Sequence, residues 1–290
     1  MVHQGQRRVV DHRMTALTQA QTKINVLEVQ KEIIIEPSGT DDTGAFREAI
    51  ATLTARPDGG TIRLDRGTYI LTRQLDITDR VAVVGEGPDH TRIELRFTHS
   101  DHSGITLRGQ HIRLADFELV LKRTENMLRY SMLSSWWQAG GTDDLKISNL
   151  RWSGEKGVRI GGVGFAGERI EITGVEAYRS IALRGRDNWL HHNRIYGGVY
   201  GGAGSEAGLM ISSDNSVIER NHFETKDWPV GPGGSRNYRS FMDRDDLLDR
   251  IWSKRLLTAN PFRNAYIAHN TTKDVATQDN KGEIILFHSA

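Results

Sequence analysis

The chain has 290 residues, 38 Lys and Arg against 37 Asp and Glu, 30 glycines, no cysteine, and 7% aromatic residues. Balanced charge gives no general attraction to nucleic acid or to anionic membranes, and without cysteine there is no disulfide framework. No apolar run approaches the roughly twenty residues that span a bilayer, and a hydrophobic content of 37% fits a turn-rich β protein with a thin core.

Residues 1–13 are polar and lack the apolar centre of a signal peptide. The protein therefore either stays inside the cell, or has lost a signal, or reaches its place as part of a larger particle; a secreted or virion-associated protein is the expectation. Residues 14–31 are polar and weakly periodic, either a short helix or an extended stretch, and residues 1–40 are assigned to an N-terminal arm. Asp41 and Asp42 can cap a helix and favour its dipole. Ala45, Phe46, Ala49, Ile50 and Leu53 then share one face, until Pro57, Gly59 and Gly60 stop the pattern. This predicts a helix over 43–55, placed to cover the open end of the single domain assigned to 41–290.

Six later stretches rhyme. They are His111-Ile112-Arg113-Leu114-Ala115-Asp116, Asp144-Leu145-Lys146-Ile147-Ser148-Asn149, Arg169-Ile170-Glu171-Ile172-Thr173-Gly174, Asn188-Trp189-Leu190-His191-His192-Asn193, Ser216-Val217-Ile218-Glu219-Arg220-Asn221 and Ala265-Tyr266-Ile267-Ala268-His269-Asn270. Each reads as a short strand with one buried face, ending on a residue that tolerates left-handed backbone. Their spacing is unequal, as expected of a solenoid with coils of about twenty residues and variable loops. Stacking would bring Asn149, Asn193, Asn221 and Asn270 into an amide ladder.

A second set precedes most of these: Gly104-Ile105-Thr106-Leu107-Arg108, Gly157-Val158-Arg159-Ile160-Gly161, Ser180-Ile181-Ala182-Leu183-Arg184, Gly208-Leu209-Met210-Ile211-Ser212 and Gly282-Glu283-Ile284-Ile285-Leu286. Met132-Leu133-Ser134-Ser135 and Arg255-Leu256-Leu257-Thr258 are assigned to the same position. With short third strands such as Phe117-Glu118-Leu119 and Arg194-Ile195-Tyr196, each coil has three strands. The fold class is all-β, a single-stranded parallel β-helix. The strand over 282–288 has no cap after it, so the chain is truncated there, or another chain or the N-terminal arm covers it.

Gly39-Thr40-Asp41-Asp42-Thr43, the helix, Gly59-Gly60-Thr61-Ile62-Arg63-Leu64, Gly67-Thr68-Tyr69-Ile70-Leu71 and Val83-Val84-Gly85-Glu86-Gly87-Pro88-Asp89-His90-Thr91-Arg92-Ile93 together resemble the N-terminal signature of the pectate-lyase-like superfamily. The resemblance covers residues 39–95 and implies a right-handed parallel β-helix. Members include polysaccharide lyases, glycoside hydrolases, uronate epimerases and phage tailspikes. Neither the paired-Asp and Gly-His-Gly pattern of polygalacturonases nor the Asp-Pro-His-Asp pattern of mannuronan epimerases is present.

Function on such a scaffold belongs on long loops held by the coils. Residues 121–131, 197–207 and the insertion 225–253, with a helix expected at 245–254, all lead from a third strand to the next first strand. They would wall one groove over the first-position sheet. Alternation places Arg108, Arg159 and Arg184 outward there, with Arg186 and Asp187 at the border. Planar guanidinium groups suit bidentate carboxylate binding, so the strip matches a chain of uronic acids. Pairing with nearby Asp and Glu is the competing expectation. Trp136, Trp137 and Trp228 offer flat faces for sugars or for ordinary packing, and Tyr200 lies in the glycine-rich loop.

For acid–base chemistry the candidates are Glu206, Asp187, Asp214, Asp227 and Lys226, with His191, His192 and His222. Two carboxyl groups about 5–10 Å apart would serve a hydrolase. A lyase needs a base for the proton α to a uronate carboxylate and a cation to neutralise that carboxylate, a role open to Arg184, Lys226 or a histidine. His192 and His269 each precede an Asn at a strand end, which points to a turn role. Asp243, Asp245 and Asp246 hint at calcium, but Arg244 interrupts them and no Gly-centred loop surrounds them, so the cofactor is left unassigned. The expectation is an enzyme cutting an extended, acidic polysaccharide, with β-elimination favoured over hydrolysis. The alternative is a non-catalytic glycan-binding or structural module of a tailspike or adhesin. The polysaccharide is the expected partner, as monomer or homotrimer, with no nucleic acid and no membrane span.

Overall fold

The computed structural model describes residues 32–97, 103–122, 131–135, 141–154, 163–178, 181–197, 209–225, 266–273 and 285–286. Every strand pairing recorded among them is parallel. The first-position strands Leu75–Ile77, Ser103–Leu107, Ser131–Ser134, Val163–Glu168, Ile181–Arg186, Leu209–Asp214 and Ile285–Leu286 form one seven-stranded sheet. Second- and third-position strands form a fifteen-stranded sheet. They are joined because Arg113–Leu121 and Lys146–Gly154 each run through the corner between the two positions. The result is a right-handed parallel β-helix, the hand that parallel crossovers adopt almost without exception.

The core follows from register. Ile62, Val83, Leu114, Ile147, Ile172, Leu190 and Ile218 stack one above another from successive coils, and each is at most 1% exposed. Burial of one such side chain stabilises by about 1.5–3 kcal/mol, and the column repeats that contribution coil by coil. Phe165 and Trp152 pack across the interior with ring centroids 6.2 Å apart.

The helix Thr43–Thr54 closes the N-terminal end, packing on the strands Gly60–Leu64 and Leu75–Ile77. Thr43, Phe46, Ala49, Ile50 and Leu53 are its buried residues. Ala45, expected on that face, is exposed, because the apolar stripe turns to carry Thr43 inward instead. Phe46 meets Tyr69 edge to face at 5.8 Å, and the Tyr69 hydroxyl donates to Ile35 O at 2.6 Å. The Asp42 side chain makes no capping hydrogen bond to the helix; the two aspartates instead tie the helix start to the neighbouring chain. Asp42 accepts from Ser38 N at 2.9 Å and Ile70 N at 2.8 Å, and Asp41 accepts from Thr43 N at 3.0 Å and Thr72 Oγ1 at 2.7 Å. Within the residues assigned to an arm, Glu32–Ile35 is already a strand of the stack, paired with Thr61–Leu64; Ile35 continues the core, Ile33 packs against it, and Ile34 faces outward, exposed.

Two corners of the coil take left-handed residues in vertical files. One file, before the second strand, is Arg80, His111, Asp144, Arg169, Asp187 and Asn215, with φ between 50° and 59°. The other, before the third strand, is Asp116, Asn149, Gly174, His192, Arg220 and His269. This corrects the Asn ladder. Asn149 lies in the left-handed file and donates to Asp116 Oδ1 at 2.7 Å. The ladder occupies the next position and holds three residues among those described. Asn193 Nδ2 donates to Asn221 Oδ1 at 2.9 Å, and Asn221 Nδ2 donates to Asn270 Oδ1 at 3.0 Å. Phe117, Leu150 and Val175 fill the same file in earlier coils.

A second correction concerns the strand placed at 157–161. The first-position strand of that coil is Val163–Glu168, in register with Ile181–Arg186. Its Gly167 has φ 156° and a Cβ there would lie 2.0 Å from Thr142 O, so only glycine fits where the chain turns toward the corner. Residues 157–161 are outside the described residues. The place beside Leu209–Asp214 is taken by Ile285–Leu286; residues 255–258, assigned to that slot from sequence, also fall outside.

Candidate functional site

The outer face of the first-position sheet is lined by small residues. Thr106, Ser134 and Gly164 follow one another in register, with Thr106 and Ser134 buried. Two residues further along each strand the outward file contains Arg108, Ala166 and Arg184. Arg108 and Arg184 therefore do share a face and a file. The file is not a continuous cationic strip, because Ala166 holds the position expected for Arg159.

The two arginines differ in setting. Arg108 is exposed and reaches Asp76 Oδ2 at 3.4 Å. Arg184 is half-buried, and loss of water around its guanidinium pulls its pKa down to about 10. A guanidinium destabilised by desolvation gains more from an arriving carboxylate than one already hydrated.

The border of this face is heavily charged. Arg186 donates to Glu168 through Nη2 at 2.9 Å, with Nε 2.6 Å from Oε1. The Arg186 guanidinium holds the Glu168 carboxyl below the usual range. Arg169 binds Asp144 with both Nε at 2.6 Å and Nη2 at 3.0 Å, and also reaches Glu168 at 3.1 Å. Asp187 is the left-handed corner residue, and its N–H donates to Asp214 O at 2.9 Å. Asp214 pairs in register with Arg186. Glu168, Arg186 and Asp214 thus alternate in sign on consecutive coils about 4.8 Å apart.

Of the residues singled out from sequence, Arg184, Arg186, Asp187 and Asp214 come together at one edge of this sheet, while Arg108 lies three coils away on the same face. Glu206, Lys226, Asp227, Arg159, Trp136, Trp137, Tyr200 and Trp228 lie outside the described residues, as do Asp243, Asp245 and Asp246. The histidines are elsewhere: His191 and His192 on the second-position strand and its corner, and His222 on the third, where its Nδ1 is 2.9 Å from Thr271 Oγ1. Sequence reading missed Asp144, Glu168 and Arg169. Their signal is positional, since each sits at or beside the corner residue of its coil. Among the described residues no group of three or more His, Cys, Asp or Glu is arranged to hold a metal ion, and no helix is long and apolar enough to cross a membrane.

No family model and no curated protein sequence matches the chain. Solved structures that resemble it include the A-modules of two mannuronan C-5 epimerases of Azotobacter vinelandii. The AlgE6 module is 17% identical over 65% of this chain and 47% of its own, with a TM-score of 0.34. The AlgE4 module is 16% identical over 64% of this chain and 50% of its own, also at 0.34. The Dettilon tailspike protein is 12% identical over 87% of this chain and 64% of its own, at 0.29. The chain spans about half the length of the two epimerase modules it matches. Its own strand pairings make it, like them, a parallel β-helix. At this level of likeness the site must be argued from the chain's own residues.

Proposed function

We propose that the chain is a carbohydrate-active β-helix protein that holds an extended, acidic polysaccharide along the outer face of the first-position sheet and cleaves it by β-elimination. The observation that carries this reading is Arg184, half-buried on an otherwise small-residue surface, its guanidinium destabilised by desolvation. A uronate carboxylate bound there would offset part of that desolvation with charge-assisted hydrogen bonds. Glu206 precedes the strand Leu209–Asp214, the neighbour of the strand that carries Arg184, and is assigned the base. It would remove the proton α to the carboxylate. The electron pair left behind forms the double bond and expels the glycosidic oxygen, which takes a proton from solvent or from Asp187. Asp187 and Asp214 border the groove on the opposite side, and Lys226 and Asp227 are the reserve assignments.

The test is a panel of acidic and neutral polysaccharides with parallel readouts for new double bonds and new reducing ends. Glu206→Gln should lower turnover by about 10²-fold or more while binding stays nearly intact, since general-base catalysis contributes on the order of 10²–10⁴-fold. Arg184→Ala should weaken binding and turnover together. New reducing ends without double bonds would replace the lyase by a hydrolase.

A second reading, a glycan-binding or structural module of the tailspike or adhesin kind, is favoured by one observation. Glu168, a carboxylate at the groove border, is engaged by both Arg169 and Arg186 and so is not poised to move a proton. Stable trimers that bind acidic glycans and leave them uncut would establish it.

A further inference from the structure

The outer face of the second-position sheet carries a titratable cluster that the proposed site does not use. His191 lies between Thr173 of the coil before and Glu219 of the coil after, in register with both. Its Nε2 is 3.2 Å from Glu171 Oε1, and the other oxygen of Glu171 is 3.2 Å from Lys146 Nζ. The Trp189 ring stacks on it with centroids 3.6 Å apart. Its Nδ1 is 3.3 Å from Thr173 Oγ1 and 2.7 Å from His192 Nδ1. His191 is 7% exposed, whereas His192 is exposed and takes the left-handed corner, φ 55°.

Two imidazole nitrogens at hydrogen-bond distance share a single proton: one ring donates and the other accepts. Two imidazolium rings would turn N–H against N–H. We propose that His191 and His192 form an acid-released latch at the corner of the coil Trp189–Gly197, closed while they share one proton and opened when both rings are charged.

With His191 Nε2–H donating to Glu171, neutral His191 accepts at Nδ1 from His192. One added proton can be held without losing the contact if His191 carries hydrogen on both ring nitrogens, one toward Glu171 and one toward His192. His191 then donates at Nδ1, and His192 accepts there with its single hydrogen now on Nε2. The contact survives. A second proton, on His192, ends it. Shielding of the His192 ring first, then the charges of His191 and Arg220, hold His192 below the ordinary histidine value, while Glu219 pulls the other way. Folded His192 thus takes up this proton less readily than the unfolded chain does. Stability is therefore lost as pH falls below the ordinary value of about 6.5. The strain falls on the corner beside Asn193, the first residue of the amide ladder.

The latch is tested on the full chain by imidazole nitrogen NMR from pH 8 to 4.5 and by thermal melts across the same range. The two rings should titrate as a coupled pair, with the second step displaced by about one unit or more. His192→Asn keeps a residue that tolerates left-handed backbone and removes the ring. It should melt below the parent at pH 8, where it lacks the closed contact, and lose less melting temperature on acidification; His191→Gln should flatten the same window. Rings that titrate independently near the ordinary value, or parent and His192→Asn losing equal melting temperature, would overturn the proposal.

Discussion

The Asp41 carboxyl stands where the capping helix meets the strand Gly67–Leu71. Burial there works against its charge, but hydrogen bonds from the side chains of Thr43 and Thr72 and from their N–H groups outweigh it and hold the group at about 2. A carboxyl lowered in the folded state stabilises fully above its unfolded value of about 3.9 and progressively less as pH falls toward 2. Asp41→Asn should therefore be less stable than the parent at pH 6, and the gap should shrink by more than half by pH 2.5 in thermal melts; a gap of equal size at both would assign the effect to shape rather than charge. At this scale the sequence was legible in part. Arg184, Arg186 and Asp187 are found at one sheet edge because strand alternation alone places them. Glu168, Asp144 and Arg169 were not legible, because ion pairs between coils depend on a register that unequal loops conceal. His191 shows the cost of a one-residue slip. Aligning the rhymes on a shared final residue matches Asn193 to Gly174 and sets His191 among the inward residues. The true register matches His192 to Gly174, which turns Leu190 inward and His191 outward.

Strands in this molecule are short, some only two or three residues, so their corners carry much of the specification. Three successive first-position strands begin six residues before the left-handed corner: Val163 before Arg169, Ile181 before Asp187 and Leu209 before Asn215. That interval, rather than apolar content, separates Val163–Glu168 from the stretch 157–161, which is also a short run of apolar residues and glycine. The amide ladder adds a polar constraint inside the core. Asn221 donates to Leu190 O at 3.0 Å and to Asn270, and accepts from both the N–H and the side-chain amide of Asn193. Asn221→Ala leaves the buried Asn193 groups without that acceptor. Each unsatisfied buried group costs about 1–3 kcal/mol, so urea unfolding should show a loss of at least about 2 kcal/mol. A loss below about 0.5 kcal/mol, the scale of ordinary surface changes, would mean that water replaces the ladder freely.

Because each coil touches only its neighbours, stability in the whole molecule is passed along the stack, and its ends govern how it frays. The capping helix is the N-terminal control. Leu53 is fully buried among core residues of the first coils, and Leu53→Ala removes that contact for about 2–5 kcal/mol. In a domain that unfolds only as a unit, this loss would raise amide exchange everywhere by the same factor. In a stack with nearest-neighbour coupling it should act locally. Exchange in Gly60–Leu64 and Gly67–Leu71 should rise more than about tenfold, the change that 1.4 kcal/mol gives. The second-position strand Val217–Glu219, six coils further on, should exchange at nearly its original rate, since Ile218 and the Asn221 ladder hold it from neighbours the cap never meets. Hydrogen exchange resolved by residue distinguishes the two outcomes. A uniform rise would show that the coils fold as one cooperative body, and would then extend the influence of the cap to the edge that carries Arg184 and Asp187.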